Sequence, residues 1–367
     1  MTSRSRSRPL LLCLALAGCG SGARHTADYL APGTFGVGIS TFTFVDTTRP
    51  TPANGTFAGA PTRTLTVDVW YPSSTPGGPN TDAPPAAGRH PLVVHGHGFM
   101  DNRHGESYLG EHLASWGFVV ASPDFPLSSG GAPGGATIAD TAQQPLDVRF
   151  VIDQLLAQPA VPADGARIGV SGLSLGALTA LLSGYHPRLR DGRVRAVLSL
   201  AAPSCMLLPA FFASAPVPLL LAHGDADLIV PPAESSVRAY DRAQPPKELV
   251  LLARGSHTAF TGFASLLDET KNYDRIGCQA LGATPIDVTT FASLGTEADG
   301  ISSDVSACPK PCQAAPIDPS LNADRQLDLT RALALAFFSA ELENDAAARA
   351  FVRATVTENP EVTVRVP

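Results

Sequence analysis

The stretch Arg167–Ala180, RIGVSGLSLGALTA, decides the fold. A short apolar run leads into Gly172-Leu173-Ser174-Leu175-Gly176, and a helix-forming apolar stretch follows at once. Strand, sharp turn and helix in that order is the setting in which a serine is forced into a strained backbone region with its hydroxyl exposed. The two glycines, one on either side at a spacing of two, let neighbouring backbone approach without collision. Ser174 is therefore a candidate nucleophile.

Outward from this turn the chain keeps one rhythm. Short apolar runs at Leu92–Val94, Phe118–Ala121, Ile168–Val170, Ala196–Leu200, Leu219–Ala222 and Glu248–Leu252 alternate with helix-like segments. Those segments lie near Tyr108–Trp116, Pro145–Leu156, Leu175–Ser183 and Ser235–Ala243. Buried runs alternating with helices predict an α/β chain, a mostly parallel central sheet with helices on both faces. Before it, Phe35–Val45 and Thr64–Trp70 alternate apolar and polar residues, as half-buried antiparallel strands do. Two segments break the rhythm. Phe125–Gln144 reads as a flexible glycine-rich loop over the C-terminal edge of the sheet, and Phe260–Leu321 has little periodicity. An amphipathic helix, Asp324–Glu343, closes the core.

A serine hydroxyl is a poor nucleophile until a histidine takes its proton, and that histidine needs a carboxylate to fix its tautomer. PLLLAHGDADLIVPP and LLARGSHTAF supply both, each at the C-terminal end of an apolar run. The order Ser174, Asp227, His257 follows, with Asp225 the competing acid. Acyl transfer also needs backbone N–H donors for the developing oxyanion. Leu175, next after the serine, is one candidate. Phe99, after the glycines of His95-Gly96-His97-Gly98, is the other. His95 and His97 lack an acidic third ligand nearby, so no metal and no cofactor is expected.

PLVVHGHGF, LGEHLASWGFVVASPDFP, LDVRFVIDQLL, RIGVSGLSLGALTA, HGDADLIVPP and GSHTAF together resemble the dienelactone-hydrolase and platelet-activating-factor-acetylhydrolase branch of the α/β hydrolases, near bacterial lipases and polyester hydrolases. The likeness spans about Arg63–Phe260. It implies the α/β-hydrolase fold and carboxylic ester hydrolysis through an acyl-enzyme. It also implies Asp227, the second aspartate of its run, as the acid, and Phe99 as an oxyanion donor. Serine at 174 departs from the cysteine of dienelactone hydrolases proper. Leu173 and Gly176-Ala177 depart from the residues that usually flank the nucleophile. An acyltransferase or peptidase would use the same triad, and a non-catalytic surface binder would keep only the fold.

The leader and the cysteines set the compartment. Arg4, Arg6 and Arg8 precede PLLLCLALAG, an apolar stretch too short to span a bilayer. Leu16-Ala17-Gly18-Cys19 resembles the lipobox of bacterial lipoproteins, which implies acylation of Cys19 and a membrane anchor. Gly20 stands where a retention signal would place Asp, so the outer membrane or cell surface is expected, with a secreted or periplasmic protein as the alternative. The expected layout is residues 1–18 leader, 19–34 tether and 35–367 one domain with an insertion at about 260–321. Loss of the leader, with three arginines and no acid, takes the net charge from −7 to −10. No basic cluster stands clear of the leader, and nucleic acid is not an expected partner. A small-molecule, lipid or polymer ester is. Cys205, Cys278, Cys308 and Cys312 read as two disulfides with three possible connectivities, Cys278 being expected to reach the Cys308–Cys312 region.

Overall fold

Residues 23–283, 287–306 and 308–367 are described by the structure, a computed structural model. The leader and Cys19 lie outside them. Helix α1 (Thr26–Leu30) packs Tyr29 against Phe351, ring centroids 4.4 Å apart, within the segment expected as a tether. Strands β1 (Gly36–Asp46) and β2 (Arg63–Ser73) pair antiparallel over their whole length, and β3 (Asn80–Thr81) is a short edge on β1.

The parallel part begins at β4 (His90–Gly96), every residue of which is buried. It continues through α2 (Ser107–Ser115), β5 (Val119–Pro123), α3 (Gln144–Ala157), β6 (Ala163–Leu173) and α4 (Leu175–Tyr185). Strand β7 (Val194–Leu200), α5 (Pro209–Phe212), β8 (Leu219–Gly224), α6 (Arg238–Arg242) and β9 (Lys247–Leu252) follow. Helix α7 (Asp274–Ala283) belongs to the insertion, and α8 (Ala323–Leu342) and α9 (Ala346–Arg353) return to the core. Strand β10 (Val362–Arg365) adds an antiparallel edge to β9.

The strands form one sheet in the order β10-β9-β8-β7-β6-β4-β5-β2-β1-β3. The chain runs from β4 outward to β5, then crosses back to place β6 on the other side of β4. Such a switch opens a crevice at the carboxyl ends of the strands, where ligands bind in open α/β sheets. Two apolar layers sandwich the sheet. One contains α3, α4 and the inner face of β6; the other contains α2, α8 and α9 with Phe337, Phe338 and Phe351. Among the described residues, no helix is long and apolar enough to cross a membrane.

The Phe125–Gln144 loop is not the flexible cover its composition suggests. Phe125, Ile138, Asp140 and Gln144 are buried. Arg63, fully buried at the start of β2, donates to both oxygens of Asp147 at 2.6 Å and also binds Asp140. Arg49 donates to the same Asp147 at 2.8 Å. Charges buried in this way must be paired, and the pairing fixes the loop.

Candidate active site

Ser174 sits between β6 and α4 with φ 55° and ψ −116°, outside the regions ordinary residues favour. Two close approaches make the turn possible. A Cβ at Gly172 would lie 2.3 Å from Gly176 backbone, and one at Gly176 would lie 2.0 Å from the Gly96 carbonyl oxygen. Only glycine fits either position. The turn therefore locks β6, α4 and the end of β4 together, and Ser174 stays half-exposed above them. Leu175 opens α4, so its N–H belongs to the helix's unpaired first turn at the positive end of its dipole.

After β8, Asp227 is buried and its carboxylate is surrounded by donors. It accepts from His257 Nδ1 at 2.7 Å, from His223 Nε2 at 3.0 Å, and from the backbone N–H groups of Val230 at 2.7 Å and Ile229 at 2.9 Å. Against the penalty of burial, His257 and His223 hold the carboxyl well below the usual carboxylate range. Asp225 lies apart, accepting the Arg254 N–H at the surface. His257 follows β9. Burial pushes its imidazole down, but the Asp227 carboxylate more than compensates, with Asp274 and Glu106 adding to it, and the group sits above its ordinary value. With Nδ1–H given to Asp227, Nε2 is the unprotonated nitrogen of the neutral ring, and His257 lines the same cleft as Ser174.

The β4 end supplies the opposite wall. His97 accepts the Phe125 N–H on Nε2 at 3.1 Å, which places its proton on Nδ1 for donation to the Gly98 carbonyl at 2.7 Å. Carbonyl and N–H of one planar trans peptide point in opposite directions, so holding the Gly98 carbonyl also orients the Phe99 N–H. A Cβ at Gly98 would be 3.6 Å from Ser174 Cβ, so this peptide lies beside Ser174. His95 donates from Nδ1 to Ser171 Oγ at 2.9 Å, and Glu106 meets its Nε2 at 3.1 Å. Burial pushes His95 down to about 4 and Glu106 up to about 8. Both shifts disfavour an ion pair at this contact.

Two cavities meet at Ser174. One is a narrow apolar slot, lined by Phe99, Ile138, Val230, Phe291, Pro309 and the Cys205–Cys308 disulfide. The other is wider and more open, and carries Asp101, His257, Thr258 and Thr261. The second disulfide joins Cys278 to Cys312. Paired cysteines of this kind belong to oxidising compartments, the extracellular space or the periplasm.

Sequence reasoning missed His223 and Asp274. His223 stands in the same HGDAD run as the acid, but nothing in its spacing says that its ring points back at Asp227. Asp274 lies in the aperiodic insertion and carries no signal at all.

No family model and no curated protein matches the chain. Among solved structures, a ferulic acid esterase from Streptomyces cinnamoneus superposes with a TM-score of 0.61 at 22% identity, covering 91% of this chain and 98% of that one. A likeness of that extent over a single, mostly parallel ten-stranded sheet shows that this chain has the α/β-hydrolase fold.

Proposed function

We propose that the chain is a serine carboxylic ester hydrolase with Ser174, His257 and Asp227 as its triad. The observation that carries this reading is one arrangement. A serine held at positive φ shares a cleft with a histidine whose far nitrogen is bound at 2.7 Å by a buried carboxylate. Ser174 Oγ attacks the ester carbonyl while His257 Nε2 takes its proton. The N–H groups of Leu175 and Phe99 receive the oxyanion. The imidazolium returns the proton to the leaving alcohol, and water then cleaves the acyl-enzyme by the same path. Because His257 must reach the leaving oxygen, the alcohol occupies the open cleft that His257 lines. The acyl group occupies the apolar slot. Each buried CH₂ contributes about 0.8 kcal/mol, so affinity rises with chain length until the slot ends. Closed by a disulfide and prolines, the slot suits short to medium acyl groups.

The test is kcat/KM on p-nitrophenyl acetate, butyrate, octanoate and palmitate, with methyl ferulate alongside because the structural neighbour is a ferulic acid esterase. A maximum at butyrate to octanoate is expected, with a fall at palmitate and no rate jump above the micelle concentration. Full activity in Ser174→Ala would end the reading. Lipid anchoring through Cys19 is part of the same proposal. It rests on the leader's residues, and incorporation of radiolabelled palmitate that Cys19→Ser abolishes is the expected result.

A further inference from the structure

The insertion contributes no member of the triad, yet it grips both loops that carry acid and base. Asp274, at the start of α7 and fully buried, accepts three backbone N–H groups. They are Leu228, next to the acid, at 2.9 Å, His257 itself at 3.1 Å, and Thr258 at 2.7 Å. Asn272 takes hold on the other side of Asp227, donating to the Ala226 carbonyl at 3.2 Å while it accepts the Asp274 N–H at 2.9 Å. The Leu228 carbonyl is held as well, by the Cys312 N–H at 2.6 Å, and Cys312 is bonded to Cys278 on α7. A single side chain thus ties the loop after β8 to the loop after β9. At their roots the two loops also meet through the Ala226 N–H on the Gly255 carbonyl at 2.9 Å and the Arg254 N–H on Asp225, so Asp274 and the Asp227–His257 hydrogen bond join them further out, where the triad residues stand.

We propose that Asp274 is a positioning residue, a buried carboxylate that sets the distance between the triad's acid and base and adds a second negative charge beneath the base. This rests on the triad reading above. Every hydrogen bond its carboxylate makes is accepted from an N–H, which favours the ionised form. Burial and the neighbouring Asp227 push it the other way, towards a raised value, while His257 and the backbone donors oppose them. The charged or titratable groups facing His257 are Asp227 from the β8 loop, Asp274 from α7 and Glu106 from the start of α2. Asp101 shares its cleft.

The role makes two demands. Asp274→Asn can accept through only one oxygen, so at least one of the three N–H groups loses its partner and meets an amide NH₂ instead, which displaces the loop that carries it. Misplacement on the ångström scale costs on the order of 10²-fold in rate, so kcat should fall by about that factor with KM little changed. Removing the negative charge also makes the imidazolium less favourable, so the acid limb of the kcat/KM profile should move to lower pH. A merely structural residue would not move that limb. Asp299→Asn is the matched control: Asp299 caps a turn in the same insertion and binds Arg188, far from the base, and its loss should lower Tm while leaving kcat and the limb in place.

The measurements are p-nitrophenyl butyrate profiles of wild type, Ser174→Ala, Asp274→Asn, Asn272→Ala and Asp299→Asn. If Ser174→Ala stays active, the triad reading itself fails. If Ser174→Ala is dead while Asp274→Asn keeps the wild-type kcat or the wild-type acid limb, the positioning role fails alone. Should Asp274→Asn not fold, Asn272→Ala decides: several-fold lower kcat at constant KM supports the clamp, and an unchanged kcat overturns it.

Discussion

At φ 55° and ψ −116° Ser174 occupies backbone territory that glycine enters freely and that costs other residues about 1–3 kcal/mol. The surrounding close contacts hold it there, so on the proposed reading reactivity and strain reside in the same residue. Ser174→Gly should therefore lose turnover yet raise Tm by a few degrees, and a lower Tm in a thermal melt would contradict that account. Triad members act as a unit, and Ser174→Ala or His257→Ala should lower kcat by on the order of 10⁴. Asp227→Asn should cost somewhat less. Asp225→Asn should be near wild type, because an amide oxygen can still accept the Arg254 N–H. The sign of the pH dependence follows from the base. In the proposed mechanism His257 works only when neutral, and Asp227 raises its affinity for the proton. Activity should therefore be full at alkaline pH and be lost as pH falls through a value above 6.5.

Among the elements, the parallel strands and α4 were legible because buried strands read as short apolar runs and the elbow fixes its own context. The positions of Asp227 and His257 were legible for the same reason, since each stands where a run ends. Strand β10 was not: Val362–Arg365 is short, and its place is set by pairing with β9 rather than by a pattern of its own. The Phe125–Gln144 loop misled because glycine and serine content reports backbone freedom, whereas its order comes from Asp140 and Asp147 meeting Arg63 far along the chain. Composition cannot see a long-range ion network. Arg63→Met should accordingly cost about 3–5 kcal/mol in denaturant unfolding, since it leaves two buried carboxylates with only Arg49 to share. Ile138 lines the slot, so octanoate turnover in that variant should fall more than acetate turnover.

Across the whole molecule, the two bridges divide the labour of the insertion. Cys205–Cys308 closes a span of 103 residues and roofs the slot; Cys278–Cys312 closes 34 and secures the clamp on the triad loops. Loop-closure entropy assigns them about 5 and about 4 kcal/mol. Their functional losses should differ in kind. Replacing Cys205 and Cys308 by serine should broaden the acyl range towards palmitate at little cost in kcat on butyrate. Replacing Cys278 and Cys312 should lower kcat without changing the chain-length profile. Identical profiles for the two double variants would refute the division. The clamp has a consequence for the life of the protein. On the proposed reading of an exported serine hydrolase, a chain newly made in a reducing compartment has Ser174, His257 and Asp227, but the bridge that secures the segment beneath the last two is not yet formed. Oxidation after export would then be the activating event, the counterpart of clipping a zymogen but with no peptide removed. On that reading, the producing cell's own esters would be spared until the protein has left. Refolding with dithiothreitol should yield protein of low turnover that gains activity in step with the loss of free thiols.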